Sequence, residues 1–276
     1  MSDIKKIGLI SGSGQFPVIF SQVARFRGYR VYAAAHLNET DEILSNYVEQ
    51  IEWVHLGQVR RLLNFFRKHG IDQAVMMGGI QKTRMFRDIR PDTKALSLIA
   101  GLKHTNDDWL LRAFADFMEK EGIRIRSATF LLPHLLAPEG CWTRRKPNRA
   151  EKADIEVGWR IAKEIGRLDI GQCVVVSSGS VLAVEAIDGT DSTIQRGGRL
   201  GNGSGVVVKV CKPDQDTRFD VPAIGAQTIQ TMSEAGVGVL VVEAGKAVVF
   251  DREEMVELAD RYKISIVALP GKPGNG

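Results

Sequence analysis

The chain has 276 residues, 44% hydrophobic and 25% charged, with a formal net charge of +4. That length allows two domains, the composition is that of an ordinary globular protein, and so mild a charge does not by itself argue for nucleic acid. No apolar run approaches the roughly 20 residues that span a bilayer, and the opening MSDIKKIGLISGSG breaks at glycine too early for a signal peptide.

The three cysteines, Cys141, Cys173 and Cys211, form no CxxC pair. That argues for reduced thiols in a cytoplasmic protein and against a zinc or disulfide framework. Cys173 and Cys211 fall in apolar runs and read as core.

Residues 4–10 read as a buried strand, 16–27 as a helix, 30–35 as a second strand and 51–55 as a third. Val59, Leu62, Leu63 and Phe66 recur at helical spacing, and Gly70 stops that helix. Residues 72–77 form another strand, ending in Gly78-Gly79. Asn106 is placed to cap a helix that runs to Lys120, with Asp107 and Asp108 in its first turn. Residues 123–128 complete the series. Strand and helix alternate throughout, which predicts an α/β fold with a Rossmann-like parallel-sheet domain over residues 1–133.

The texture changes at LPHLLAPEGCWTRRKP, residues 132–147, which is turn-rich and basic. A second α/β domain with a mixed sheet is predicted over residues 134–276. Its helices fall at 151–167 and 222–235, and its strands at 173–177, 181–187 and 205–210. Ser178-Gly179-Ser180 marks a hairpin, and Gly245 marks a second one between 237–243 and 247–250. Asp251 is placed to cap a helix, with Glu254 as its capping-box partner, and 264–269 is the last strand.

Two glycine loops fall after strands of the first domain. Gly12-Ser13-Gly14-Gln15-Phe16-Pro17 opens a helix, where backbone can approach a phosphate. Pro17 stands where a dinucleotide fingerprint needs a third glycine. His36 and Asn38 stand where it needs a ribose-binding acid. The loop therefore reads as a phosphate or nucleotide contact, or as a tight structural turn, and not as a dinucleotide site. Gly78-Gly79-Ile80-Gln81-Lys82 adds a cation at the same sheet edge.

In the second domain, Glu185 to Asp191 reads as an acidic turn. Its Thr190 and Asp191 suit a sugar, a phosphate or a magnesium ion, and the glycine-rich 197–205 reads as a loop after it. Two basic stretches, one holding Lys82, Arg84, Arg87 and Arg90 and the other Arg144 to Lys152, suit a phosphate-bearing ligand or an anionic membrane surface. Densest of all is KVCKPDQDTRFDVPAIGAQT, residues 209–228. It places Lys209, Lys212, Asp214, Gln215, Asp216, Arg218 and Asp220 in a proline-bounded turn between a strand and a helix. Acids and bases so crowded suit a charged substrate, a divalent metal, or both.

The stretches GLISGSGQFP, MMGGIQK, NDDWLLRAF, AIDGTD and KVCKPDQDTRFDVPAIGAQTI occur in this order over nearly the whole chain. In them the sequence resembles the UDP-2,3-diacylglucosamine pyrophosphatases of the LpxI type, which supply lipid X for lipid A. One departure is Asp188, where the family pattern leads us to expect glutamate. The resemblance implies hydrolysis at the α-phosphorus to UMP and the diacylated sugar 1-phosphate. It also implies a divalent metal, usually magnesium, a substrate held between two domains, and a homodimer at the cytoplasmic face of the inner membrane.

Under that resemblance Asp220 and Asp216 are the catalytic candidates. Asp216, Asp220 and Asp191 are the candidate metal ligands. Gly12, Ser13, Gly14, Gly79, Lys82, Thr190, Asp191, Lys209, Gln215 and Arg218 are the candidate substrate contacts, with no nucleic acid involved. Phe130, Leu131, Leu132, Leu135 and Leu136 are a candidate wall for the acyl chains, or core. The competing reading is a non-catalytic nucleotide-sugar or lipid-binding regulator.

Overall fold

The computed structural model describes residues 5–80, 89–100, 107–213, 215–219 and 221–271. Its chain forms two compact units. One comprises Met1–Pro133 together with Asp216–Asp220. The other comprises His134–Gln215 and Val221–Gly276.

The first unit is built on five parallel strands: β1 (Lys5–Ser11), β2 (Tyr29–His36), β3 (Gln50–Val54), β4 (Gln73–Met77) and β5 (Arg124–Arg126). Their order is β3-β2-β1-β4-β5. The central strands are nearly continuous apolar runs, as strands covered on both faces require. The helices are α1 (Phe16–Phe26), α2 (Val59–Lys68), α3 (Thr93–Ala100) and α4 (Asp107–Lys120). Pro17 pre-sets the first turn of α1, and Gly70, at φ 65°, follows the end of α2. Phe66, Leu63 and Met118 are fully or almost fully buried in the core, each contributing roughly 1.5–3 kcal/mol of burial. The α3 helix has no counterpart among the elements read from the sequence.

The second unit holds a six-stranded sheet, in the order β6-β13-β11-β9-β7-β8. Its strands are β6 (Gly140–Cys141), β7 (Cys173–Ser177), β8 (Ser180–Val184), β9 (Val206–Lys209), β11 (Val239–Glu243) and β13 (Ser265–Leu269). The β9, β11 and β13 strands are parallel, while β7 runs antiparallel to both β8 and β9. The sheet is mixed, as expected. A separate parallel pair joins β10 (Ala223–Ile224) to β12 (Val248–Val249). The helices are α5 (Arg149–Arg167), α6 (Gly189–Leu200), α7 (Ala226–Glu234) and α8 (Arg252–Arg261). The β7–β8 hairpin forms at Ser178 and Gly179, both at positive φ, and Asp154 accepts from both of their N–H groups. Cys173 and Cys211 are buried.

Four sequence expectations fail here. The hairpin around Gly245 does not form: β11 pairs with β9 and β13, while β12 joins β10. Both partners of β11 are parallel, so its pairing capacity is already filled. Asp251 precedes α8 in the left-handed region, with no side-chain cap hydrogen bond, whereas a capping residue typically takes extended backbone. The helix over 222–235 begins later, since Ala223–Ile224 is taken up as strand.

The end of the acidic turn and the start of the glycine loop are joined in one helix, α6 (Gly189–Leu200), while 201–205 remains a loop. A Cβ at Gly197 would lie 2.5 Å from the Val175 side chain, and one at Gly198 would lie 2.3 Å from the Ala235 carbonyl. These glycines let α6 pack tightly, a role that outweighs their low helix propensity.

Candidate active site

In the first unit the strand C-termini carry the motifs. Gly12 N–H donates to the Met77 carbonyl at 2.8 Å, Ser13 N–H to the Gly79 carbonyl at 2.8 Å, and Gly79 N–H to the Ser13 carbonyl at 3.2 Å. Ser13 Oγ also donates to Gly79 O at 2.9 Å. The two loops are thus fastened to one another. A Cβ on Gly12 would lie 2.3 Å from Gly79 O, and one on Gly78 would lie 2.5 Å from Ser13 O. Close approach of backbone to backbone therefore explains Gly12 and Gly78 without a ligand. Gly14 differs: at φ 93° a Cβ there meets nothing within 4 Å, so it faces open space ahead of α1.

His36 ends β2 with Nδ1 2.9 Å from the Ser11 carbonyl. A carbonyl only accepts, so Nδ1 carries the proton. Burial holds the ring below its ordinary pKa, which leaves Nε2 as a bare acceptor.

The segment Asp216–Asp220 belongs to this unit. Thr217 O accepts from Ala128 N–H at 3.1 Å and from Ser127 Oγ at 3.2 Å, just beyond β5. Phe219 packs against the core that contains Phe114 and Phe117 of α4. Asp216 is bound through both oxygens to Arg218. Oδ1 accepts from Arg218 N–H and from Nε, each at 3.0 Å, and Oδ2 accepts from Nη2 at 2.8 Å. Burial alone would raise the Asp216 carboxyl, but hydrogen bonds from Arg218 and the charge of Arg112 hold it below its ordinary value. Arg218 Nη1 lies 3.6 Å from Glu119 of α4. Arg112 and Glu119 were not singled out by sequence reasoning. Arg112 lies inside the NDDWLLRAF stretch, which was the available signal.

In the second unit Lys209 is 8% exposed and donates to the Ala223 carbonyl at 2.9 Å. Gln215 Oε1 accepts from Lys212 N–H at 2.8 Å and from Cys211 Sγ at 3.0 Å, so its amide oxygen closes the turn. Thr190 donates to Glu185 Oε1 at 2.7 Å. Asp191 is exposed in the first turn of α6, where a carboxylate suits the helix N-terminus. Asp188 pairs with Arg196, whose hydrogen bond holds its carboxyl below the ordinary range.

The basic stretch is partly internal. Arg145 donates to the Gly238 carbonyl and to Ser265 and pairs with Glu151, and Arg144 pairs with Asp260. Leu131 and Leu132 are buried core. Leu135 and Leu136 line a cavity of about 480 Å³ together with His134, Val249 and Asp251. Sequence reasoning also missed Glu243, a carboxylate closing the apolar run of β11. That position in the run was its signal.

Asp220 and Lys82, with Asp214, Arg84 and Arg87, lie outside the described residues. Among the described residues no three His, Cys, Asp or Glu side chains gather as a metal cluster. Asp216 is committed to Arg218. The described donors alone therefore do not make a divalent-cation site.

These features define a two-unit α/β protein whose polar motifs sit where strands end, the edge at which open α/β sheets bind ligands. The chain belongs to the LpxI family. The LpxI N-terminal domain matches residues 6–135 and the LpxI C-terminal domain matches residues 138–267. The UDP-2,3-diacylglucosamine pyrophosphatase LpxI of Caulobacter vibrioides is 35% identical over 278 aligned positions, covering 96% of this chain and 98% of that protein.

Among solved structures, N5-carboxyaminoimidazole synthetase from Staphylococcus aureus with ADP is 16% identical. That overlap covers 74% of this chain and 46% of that one, at a TM-score of 0.26. The biotin carboxylase domain of 2-oxoglutarate carboxylase from Hydrogenobacter thermophilus is 13% identical, covering 71% and 41%, also at 0.26. At this TM-score neither carries an argument about fold or ligand.

Proposed function

We propose that this chain is a UDP-2,3-diacylglucosamine pyrophosphatase of lipid A biosynthesis. The observation that carries the reading is the 35% identity to the Caulobacter vibrioides enzyme across 96% of the chain. Water attacks the α-phosphorus and the bond from that phosphorus to the bridging oxygen breaks. UMP leaves with the water oxygen, and the bridging oxygen leaves with 2,3-diacylglucosamine 1-phosphate, lipid X. The pyrophosphate carries two negative charges that repel a nucleophile, so cationic donors must offset the charge that builds up. Arg218 is the proposed donor, and its fork is held in place by Asp216. Asp220 is the proposed carboxylate that orients water.

A divalent cation, magnesium first, is proposed as a requirement of the reaction, with Asp220 as its candidate ligand. A homodimer and peripheral attachment to an anionic membrane surface are proposed with it. Among the described residues no helix is long and apolar enough to cross a membrane. The first unit is proposed to be Rossmann-like, a reading supported by its parallel order β3-β2-β1-β4-β5.

The test is purified protein with UDP-2,3-diacylglucosamine in oxygen-18 water, with and without EDTA, read by product mass. Label in UMP and loss of turnover in EDTA are expected. Label in the sugar phosphate would refute attack at the α-phosphorus, and turnover in EDTA would refute the metal. Binding without cleavage would favour the regulator.

A further inference from the structure

In the second unit a buried carboxylate closes β11. Glu243 is 1% exposed. Its Oε2 accepts from Lys163 Nζ at 2.6 Å and from Cys211 N–H at 3.0 Å. Lys163 Nζ also donates to the Cys211 carbonyl at 2.8 Å, and Lys246 Nζ lies 3.0 Å from Glu243 Oε1. Cys211 is therefore held at its N–H and at its C=O by two side chains that also bind each other. Those side chains come from α5 and β11, far from Cys211 in sequence.

A buried charge is costly unless paired and hydrogen-bonded. Val239, Leu240, Val241 and Val242 before it are all 0% exposed, so an apolar residue would suit the packing of position 243. What an apolar side chain cannot do is hold the Cys211 peptide. That peptide is where the chain leaves β9 and enters the densest polar motif of the sequence. Four residues on, Gln215 closes the turn.

We propose that Glu243 and Lys163 are positioning residues for the hydrolysis. By fixing the Cys211 peptide they set the course of the chain into the turn that Gln215, a candidate substrate contact, closes. The proposal rests on the pyrophosphatase reading. It assigns neither side chain a contact with substrate.

The test compares wild type, Glu243→Gln, Lys163→Met and the double variant on UDP-2,3-diacylglucosamine, with amide hydrogen exchange measured on each. Each single change is expected to lower kcat about 10- to 100-fold, the scale of a displaced reacting group, with KM held within about twofold. The double variant should be no worse than the poorer single variant, because both act on one peptide. Exchange should rise in residues 210–215 while β9 and β11 keep their protection. Lys163→Arg should recover part of kcat.

Unchanged kcat in a folded variant overturns the proposal. So does exchange rising equally across the whole sheet, which marks a purely structural pair. Should Glu243→Gln fail to fold, Lys163→Met, whose side chain is 24% exposed, decides the question. An inactive wild type would refute the pyrophosphatase reading itself and take this assignment with it, an outcome distinct from active variants.

Discussion

Asp216 and Arg218, two residues apart in the chain, face each other as a two-pronged pair, with Arg218 Nε and Nη2 at 3.1 and 2.8 Å from Asp216 Oδ2. The carboxylate thus orients the guanidinium. Lysine is a point charge without that fork. Arg218→Lys is expected to keep the net charge yet lose about 100-fold in kcat/KM, close to the loss when one charge-stabilising donor is removed. Steady-state kinetics on a variant with wild-type thermal stability checks this. A lysine variant as active as wild type would remove the fork from the mechanism.

The glycine loops give a sharper contrast. Gly12→Ala drives a Cβ to 2.3 Å from the Gly79 carbonyl, and two fastened backbones cannot both yield. A loss of about 1–3 kcal/mol is expected from such overpacking. Gly14→Ala meets no neighbour and carries only the left-handed strain at φ 93°, about 1–2 kcal/mol. Urea unfolding ranks the two. If Gly14→Ala is the more damaging, the loop-to-loop account is wrong.

Much of the first unit was legible because its strands are apolar runs separated by helices of clear period, as at Val59 to Phe66. The second unit was less so. The α6 helix was read as turn and loop because Gly197 and Gly198 signal flexibility locally, while their real cause is the tight contact with Val175 and Ala235. The Gly245 hairpin was misread because pairing partners are chosen by tertiary topology, and β9 and β13 flank β11.

Site residues behaved likewise. Composition exposed the crowding in 209–228 but not its internal pairing. That Gln215 closes a turn and that Lys209 is bonded to Ala223 depends on geometry that no spacing encodes.

Burial alone would raise the Glu243 carboxyl, but hydrogen bonds from Lys163 and Lys246 outweigh it and hold the group below its ordinary value. An acid depressed in the folded state stabilises the fold above its unfolded pKa, near 4.3 for glutamate. It loses that contribution as pH falls through the folded value. Wild type should therefore lose stability below about pH 5, and Glu243→Gln, weaker at neutral pH, should lose less on acidification. Parallel urea midpoints for the two proteins between neutral and acid pH would contradict this.

The division of labour between the two aspartates yields the last test. Both Asp216 oxygens accept from Arg218, which suits a residue that aims a cation more than one that activates water. Asp220 is then the group whose loss should stop the chemistry while leaving binding intact. Asp220→Ala is expected to retain the fold and substrate affinity while kcat falls by about 10²–10⁴-fold, the range for losing a positioned general base. Asp216→Asn keeps the shape of the side chain but not its charge, so Arg218 is held less firmly, and a smaller loss of about tenfold follows from weakening one charge-assisted pair by roughly 1.4 kcal/mol. Single-turnover release of UMP, with binding measured separately by calorimetry, reads both. If Asp216→Asn abolishes turnover and Asp220→Ala does not, the two roles are reversed.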